Sequence, residues 1–252
     1  MTYAGAEVPS RPKAVYFFGT CLVDLFFPEA GLCAVRLLQR EGVRVVFPPG
    51  QTCCGQPAFN SGYSEEARSV AQRQISLFPE PFPIVVPSGS CAAMMKRHYH
   101  TLFQGHPFAA RAEAFAVRIV ELTEFLTDVL QVRLTDRGAP ATVTWHASCH
   151  AMREMGVEDQ PKRLLRQLNN INIVSLERER ECCGFGGTFS VRYPEISGAM
   201  VEDKAVDVAA TGAKTLLSGD AGCLLNISGR LEAQGRKVRA CHIAEFLWER
   251  TR

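Results

Sequence analysis

Apolar positions along this chain follow two alternating rhythms. Short runs rich in β-branched and aromatic residues read as strands at 13–20, 43–47, 84–87 and 117–119. A second set follows at 141–148, 171–176, 215–218 and 238–240. Between them lie stretches with apolar residues at helical spacing. Residues 29–40 carry Ala30, Ala34, Leu37 and Leu38; residues 64–78 carry Ala67, Val70, Ala71, Ile75 and Phe78; residues 195–209 carry Ile196, Met200, Ala205 and Val208. Strict strand–helix alternation predicts an α/β protein with parallel sheets. The order repeats, and each copy closes alike, on Glu124-Phe125-Leu126 and on Glu245-Phe246-Leu247. The expected fold is therefore two pseudo-symmetric, Rossmann-like parallel-sheet halves, 13–131 and 140–252. They are joined by a polar stretch, 131–140, that has no apolar face.

Bulk properties narrow the field. The 252 residues are 46% hydrophobic with a net charge of +2, enough for an ample core and too little charge to imply nucleic acid. No window of about 18 apolar residues predicts a membrane span. Residues 1–13 are polar and lack the apolar core of a secretory signal, so a cytoplasmic location with reduced thiols is expected.

The cysteines sharpen the picture, because the duplication includes them. Cys21, the pair Cys53-Cys54 followed by Gly55, and Cys91 make one set. Cys149, the pair Cys182-Cys183 followed by Gly184, and Cys223 make the other at nearly equal intervals. Each follows a predicted strand, and strand C-termini of an open parallel sheet share one edge where ligands bind. Both quartets should therefore converge. Thiolates select zinc, copper(I) or iron–sulfur clusters. Structural zinc usually draws on CxxC turns, and none occurs here. Adjacent cysteines suit a larger polynuclear body, and the glycines after them permit close backbone approach. Iron–sulfur ligation by all eight is the preferred reading. Cys33 and Cys241 have no counterparts and read as buried thiols.

These residues resemble the cysteine-rich, or CCG, family, which includes the cysteine-rich component of heterodisulfide reductase, the iron–sulfur component of glycolate oxidase and lactate-utilization protein A. The segments 20–28 and 51–62, with His146-Ala147-Ser148-Cys149-His150 and Glu181-Cys182-Cys183-Gly184, are most similar to the last of these. The resemblance spans about residues 13–250. It implies an electron-transfer component of a cytoplasmic system oxidising L-lactate to pyruvate. Companion lactate-utilization proteins, one with ferredoxin-type clusters, would be its partners. Two [4Fe–4S] clusters, either conventional or of the noncubane form, would be its cofactors. The family's fuller motif ends in CxxC, but here Met94 and Asn226 replace the last cysteine. That departure weakens the rival reading of a heterodisulfide-type thiol–disulfide oxidoreductase. A zinc-stabilised assembly scaffold is the other alternative.

Other residues weigh less. His150 is the catalytic candidate, with His146 behind it, as proton relays or ligands beside the second site. Gly184-Phe185-Gly186-Gly187 follows a second strand and is no dinucleotide fingerprint. Arg153, Arg192 and Lys204 read as solvated charges before carboxylate binders. Asp220 and Ser88-Gly89-Ser90 read as helix caps.

Overall fold

The computed structural model describes residues 11–252. Most of the polar N-terminal stretch thus lies outside the described residues. Two four-stranded, wholly parallel sheets form the frame. The first holds β1 (Ala14–Phe17), β2 (Arg44–Val46), β3 (Ile84–Val86) and β4 (Ile119–Glu121) in the order β2-β1-β3-β4. The second holds β5 (Ala141–Trp145), β6 (Ile171–Ile173), β7 (Thr215–Ser218) and β8 (Arg239–His242) in the order β6-β5-β7-β8. The expected α/β duplication is present. In each sheet the chain steps one way from the first strand to the second, and the other way to the third. A crevice therefore opens beyond the C-termini of β1 and β3, and of β5 and β7.

Strand alternation explains the layers. Val15, Phe17 and Val85 point from the first sheet, and Val143, Trp145 and Leu217 from the second, into one shared core. Tyr16, Phe18, Ile84 and Val86 face an outer core of their own half, and Leu216 does the same in the second. The halves also exchange helices. The C-terminal helix Ile243–Thr251 packs on Pro28–Arg40 of the first half. Reciprocally, Leu122–Glu124 and the π-type turn after it pack on Asp159–Leu165 of the second half. Arg250 locks this arrangement by a buried bidentate pair with Asp136 in the connecting stretch, Nε–Oδ1 2.8 Å and Nη2–Oδ2 2.7 Å.

Several element positions differ from the sequence expectation. The first strand of each sheet ends earlier, at Phe17 and Trp145, and β6 ends at Ile173. β4 and β8 begin two and one residues later; before β4, Val117 ends the helix Ala109–Ala116 and is exposed. Helix Pro194–Ala210 buries Ser197, Val201, Lys204, Ala205 and Val208, whereas Ile196 faces solvent. Two polar anchors turn it: Ser197 Oγ donates to Gly184 O at 2.8 Å, and Lys204 Nζ donates to Arg178 O. Lys204 is thus a buried, bonded cation and not a solvated charge. Among the described residues, no helix is long and apolar enough to cross a membrane.

Candidate functional site

Strand order does the first part of the positioning. Cys21 opens the helix Cys21–Phe26 directly after β1, and Cys91 lies in the helix Gly89–Ala93 after β3. Cys149 follows β5, and Cys223 lies in the helix Ala221–Ala233 after β7. The adjacent pairs come from loops after β2 and β6, which need fixing. Gln51 ties the first loop to the end of β1: its Nε2 donates to Phe17 O (3.0 Å) and its Oε1 accepts from Gly19 N (3.0 Å). Buried Gln74 holds Thr52 through backbone and hydroxyl at 3.1 and 2.8 Å. Tyr99 Oη donates to Cys54 O at 2.9 Å. In the second half Asp207 accepts from Glu177 N and Arg178 N, and Asn226 Nδ2 donates to Cys183 O at 2.8 Å.

Gly55 and Gly184 complete the turns that let neighbouring cysteines face one site. Both have left-handed φ, 87° and 83°, a region disfavoured for other residues. At Gly184 a Cβ would also stand 2.8 Å from Ser197 O. Their amides donate to Cys53 Sγ and Cys182 Sγ respectively, each at 3.4 Å.

The eight cysteines of the two quartets line one cavity of about 310 Å³ between the halves. Cys149 and Cys182 sulfurs are 3.9 Å apart. Within the first quartet, hydrogen bonds from the Cys21 and Cys54 thiols hold Cys53 well below the usual thiol range. The Cys149 and Cys183 thiols do the same for Cys182. The donors are pushed up in turn, chiefly by those thiolates and then by burial. Each quartet thus gathers hydrogen-bonded sulfurs, one of them biased toward the thiolate form. Such a donor set suits a soft, positively charged body. All ten cysteines are unbridged, and Cys33 and Cys241 are buried outside the cavity.

The positions of the missing fifth cysteines are filled differently. Met94 lies buried in the first outer core, while Asn226 bonds the Cys183 carbonyl. His150 lies at the cavity wall with Nδ1 3.5 Å from Cys149 Sγ and Nε2 3.7 Å from Glu154. His146, the lesser candidate from sequence, is deeper. It is 1% exposed, neither ring nitrogen has a partner, and it clusters with Cys183 and Cys223. Burial, then Lys204, lowers its pKa to about 4, so it is neutral. Arg153 donates to Arg180 O, and Arg192 lies over the Tyr193 ring outside the cavity.

Asp220 was readable only as a cap. Its Oδ1 does accept from Gly222 N at 3.2 Å. Its Oδ2 reaches across to the first half, accepting from Ser90 N (2.8 Å) and Ser88 Oγ (3.3 Å), and also from Ser148 Oγ (3.3 Å). Ser88 makes no capping bond of its own. Its place just before Cys223 was visible in the sequence; its cross-half partners were not.

The cysteine-rich CCG domain family matches residues 15–96 and 143–228. Lactate utilization protein A of an Exiguobacterium species is 48% identical over 240 residues, covering 93% of this chain and 97% of that protein. The lactate utilization protein A of Geobacillus kaustophilus is 46% identical over 234 residues, with 92% and 98% covered. Among solved structures, a hypothetical protein from Helicobacter pylori shares the fold at a TM-score of 0.63 and 12% identity. That match covers 95% of this chain and 49% of the other, so this chain spans about half its length.

Proposed function

The chain belongs to the CCG cysteine-rich family and, within it, to the lactate utilization A proteins, and on that premise we propose that it is an iron–sulfur electron-transfer subunit in L-lactate oxidation to pyruvate. Each of the duplicated CCG domains, 13–131 and 140–252, holds one cluster, [4Fe–4S] in composition. Cys21, Cys53, Cys54 and Cys91 serve the first, and Cys149, Cys182, Cys183 and Cys223 the second. The observation that carries this reading is the shared cavity, in which two quartets of unbridged thiols meet. Bound clusters would supply one-electron storage and transfer.

The chain's own residues have definable tasks. Gly55 and Gly184 amides donate to sulfur and stabilise its negative charge, which tunes potential. Tyr99 and Asn226 fix the carbonyls of Cys54 and Cys183, holding the paired thiols in place. Apolar residues of the outer cores pack around Cys54 and Cys183. A reducing compartment, the cytoplasm, suits ten free cysteines. Companion lactate-utilization proteins, one carrying ferredoxin-type clusters, are the electron partners. His150, part-exposed at the cavity wall, is the proton-relay candidate.

Anaerobic purification of the whole chain tests this. We expect iron and acid-labile sulfide for two clusters, an EPR signal on reduction, and loss of about half the iron in Cys183→Ser. Protein that holds no iron, or one zinc per quartet in its place, refutes the proposal.

A further inference from the structure

His146 lies buried against two sulfurs of the second quartet. One of its ring nitrogens, Cys183 Sγ and Cys223 Sγ all lie within 4.8 Å of one another. Metal–nitrogen and metal–sulfur bonds of about 2.0–2.3 Å require ligand atoms at roughly this mutual closeness. Both ring nitrogens lack a hydrogen-bond partner although the residue is 1% exposed. An imidazole buried in that state is costly unless something else occupies its lone pair.

The first half provides an internal comparison. Counting back from Cys21 and Cys149, Phe18 occupies the place of His146. Phe18 is buried in an apolar outer core. Strand pairing also matches Tyr16 with Thr144, since Tyr16 lies beside Ile84 and Thr144 beside Leu216. Val86 then corresponds to Ser218. The outer face of the first sheet is apolar throughout these positions. That of the second carries Thr144, His146 and Ser218, all buried and all with unpartnered polar atoms. A fold needs no such substitution to stand, because the first half packs the same face with Tyr16, Phe18 and Val86.

We propose that His146 is an imidazole ligand of the second iron–sulfur site, beside Cys183 and Cys223, and that the first site is held by thiolates alone. The inference rests on the iron–sulfur reading above. It assigns the second site a fifth donor where the family's last cysteine is replaced by Asn226. An imidazole donor at one site and not at the other makes the two sites unequal in ligation, and ligation sets potential.

The test is pulsed EPR on the whole chain, purified anaerobically, with iron and sulfide counted first and the clusters then reduced with dithionite. Strong coordinated-nitrogen modulation is expected. It should switch to the ¹⁵N pattern when histidine is ¹⁵N-labelled, vanish in His146→Phe and persist in His150→Gln. His146→Phe copies the first half's own solution at that position, and His146→Gln serves if it misfolds. The labelled wild type answers without either variant. Two counted clusters with no histidine nitrogen coupling overturn the ligand assignment and leave the iron–sulfur reading standing. So does coupling that survives His146→Phe and disappears in His150→Gln. An iron-free wild type overturns both.

Discussion

Replacing Asp220 by Ala should destabilise the protein more than any ordinary helix cap. As a cap it serves Gly222 N, and loss of that bond costs about 1 kcal/mol. Its second oxygen also accepts from the Ser90 amide at 2.8 Å in the other half. Removing the acceptor leaves that N–H inside the joint with no partner, a penalty of roughly 1–3 kcal/mol. The Ser88 and Ser148 hydroxyls, each at 3.3 Å, can rotate to other acceptors and add little. The expected total is about 3 kcal/mol, which for a chain of this size lowers Tm by roughly 6–12 °C. Asp220→Asn keeps one acceptor oxygen and should lose about half as much. Thermal unfolding followed by circular dichroism on metal-free protein measures both. An alanine variant melting within 2 °C of wild type on the scale of about 3 °C per kcal/mol would show that Asp220 does not pin the halves together.

Three further outcomes follow from the packing. Gly89→Ala places a Cβ 2.4 Å from Ala151 Cβ across the joint, so overpacking should cost about 1–3 kcal/mol in urea unfolding; an unchanged midpoint would mean the two backbones do not approach so closely. Glu121 is wholly buried, and burial raises its pKa from 4.5 to about 7 despite hydrogen bonds from Thr123 and Glu124. The folded state therefore keeps a proton that the unfolded chain loses, stability falls as pH rises from about 4.5 to about 7, and Glu121→Gln should remove a slope totalling about 3 kcal/mol. Breaking the pair between Arg250 and Asp136, whose side chains are 7% and 0% exposed, with Arg250→Ala should cost about 3–5 kcal/mol in the same unfolding assay.

Periodicity and cysteine spacing together made the frame readable. Strands such as β7 and helices such as Pro28–Arg40 carry their burial pattern in their own residues. The convergence of the cysteines was readable too, because a strand C-terminus is a place on a parallel sheet and not merely a position in a chain. What could not be read depends on contacts made across the joint. Lys204 is an ordinary charged residue in sequence, and only the Arg178 carbonyl and nearby Asp207 make it a buried anchor. His150 stood ahead of His146 as a candidate in the sequence, which gave no sign that His146 is buried beside the Cys183 and Cys223 sulfurs. The start of β4 shifted because Val117 had the composition of a strand residue, while its backbone completes the preceding helix.

The joint also explains why duplication preserves one scaffold and alters its two sites. Each sheet gives one face to the common core, and each half's closing helix packs on the other half. Substitutions there would disturb both halves at once. The outer faces and crevice walls are free of that constraint, and there the copies part: Phe18 against His146, Val86 against Ser218, Leu22 against His150. Two sites of equal potential facing one cavity would give electrons no preferred direction. Under the proposed function, changing donors in only one copy creates a gradient between sites whose spacing the shared core keeps fixed.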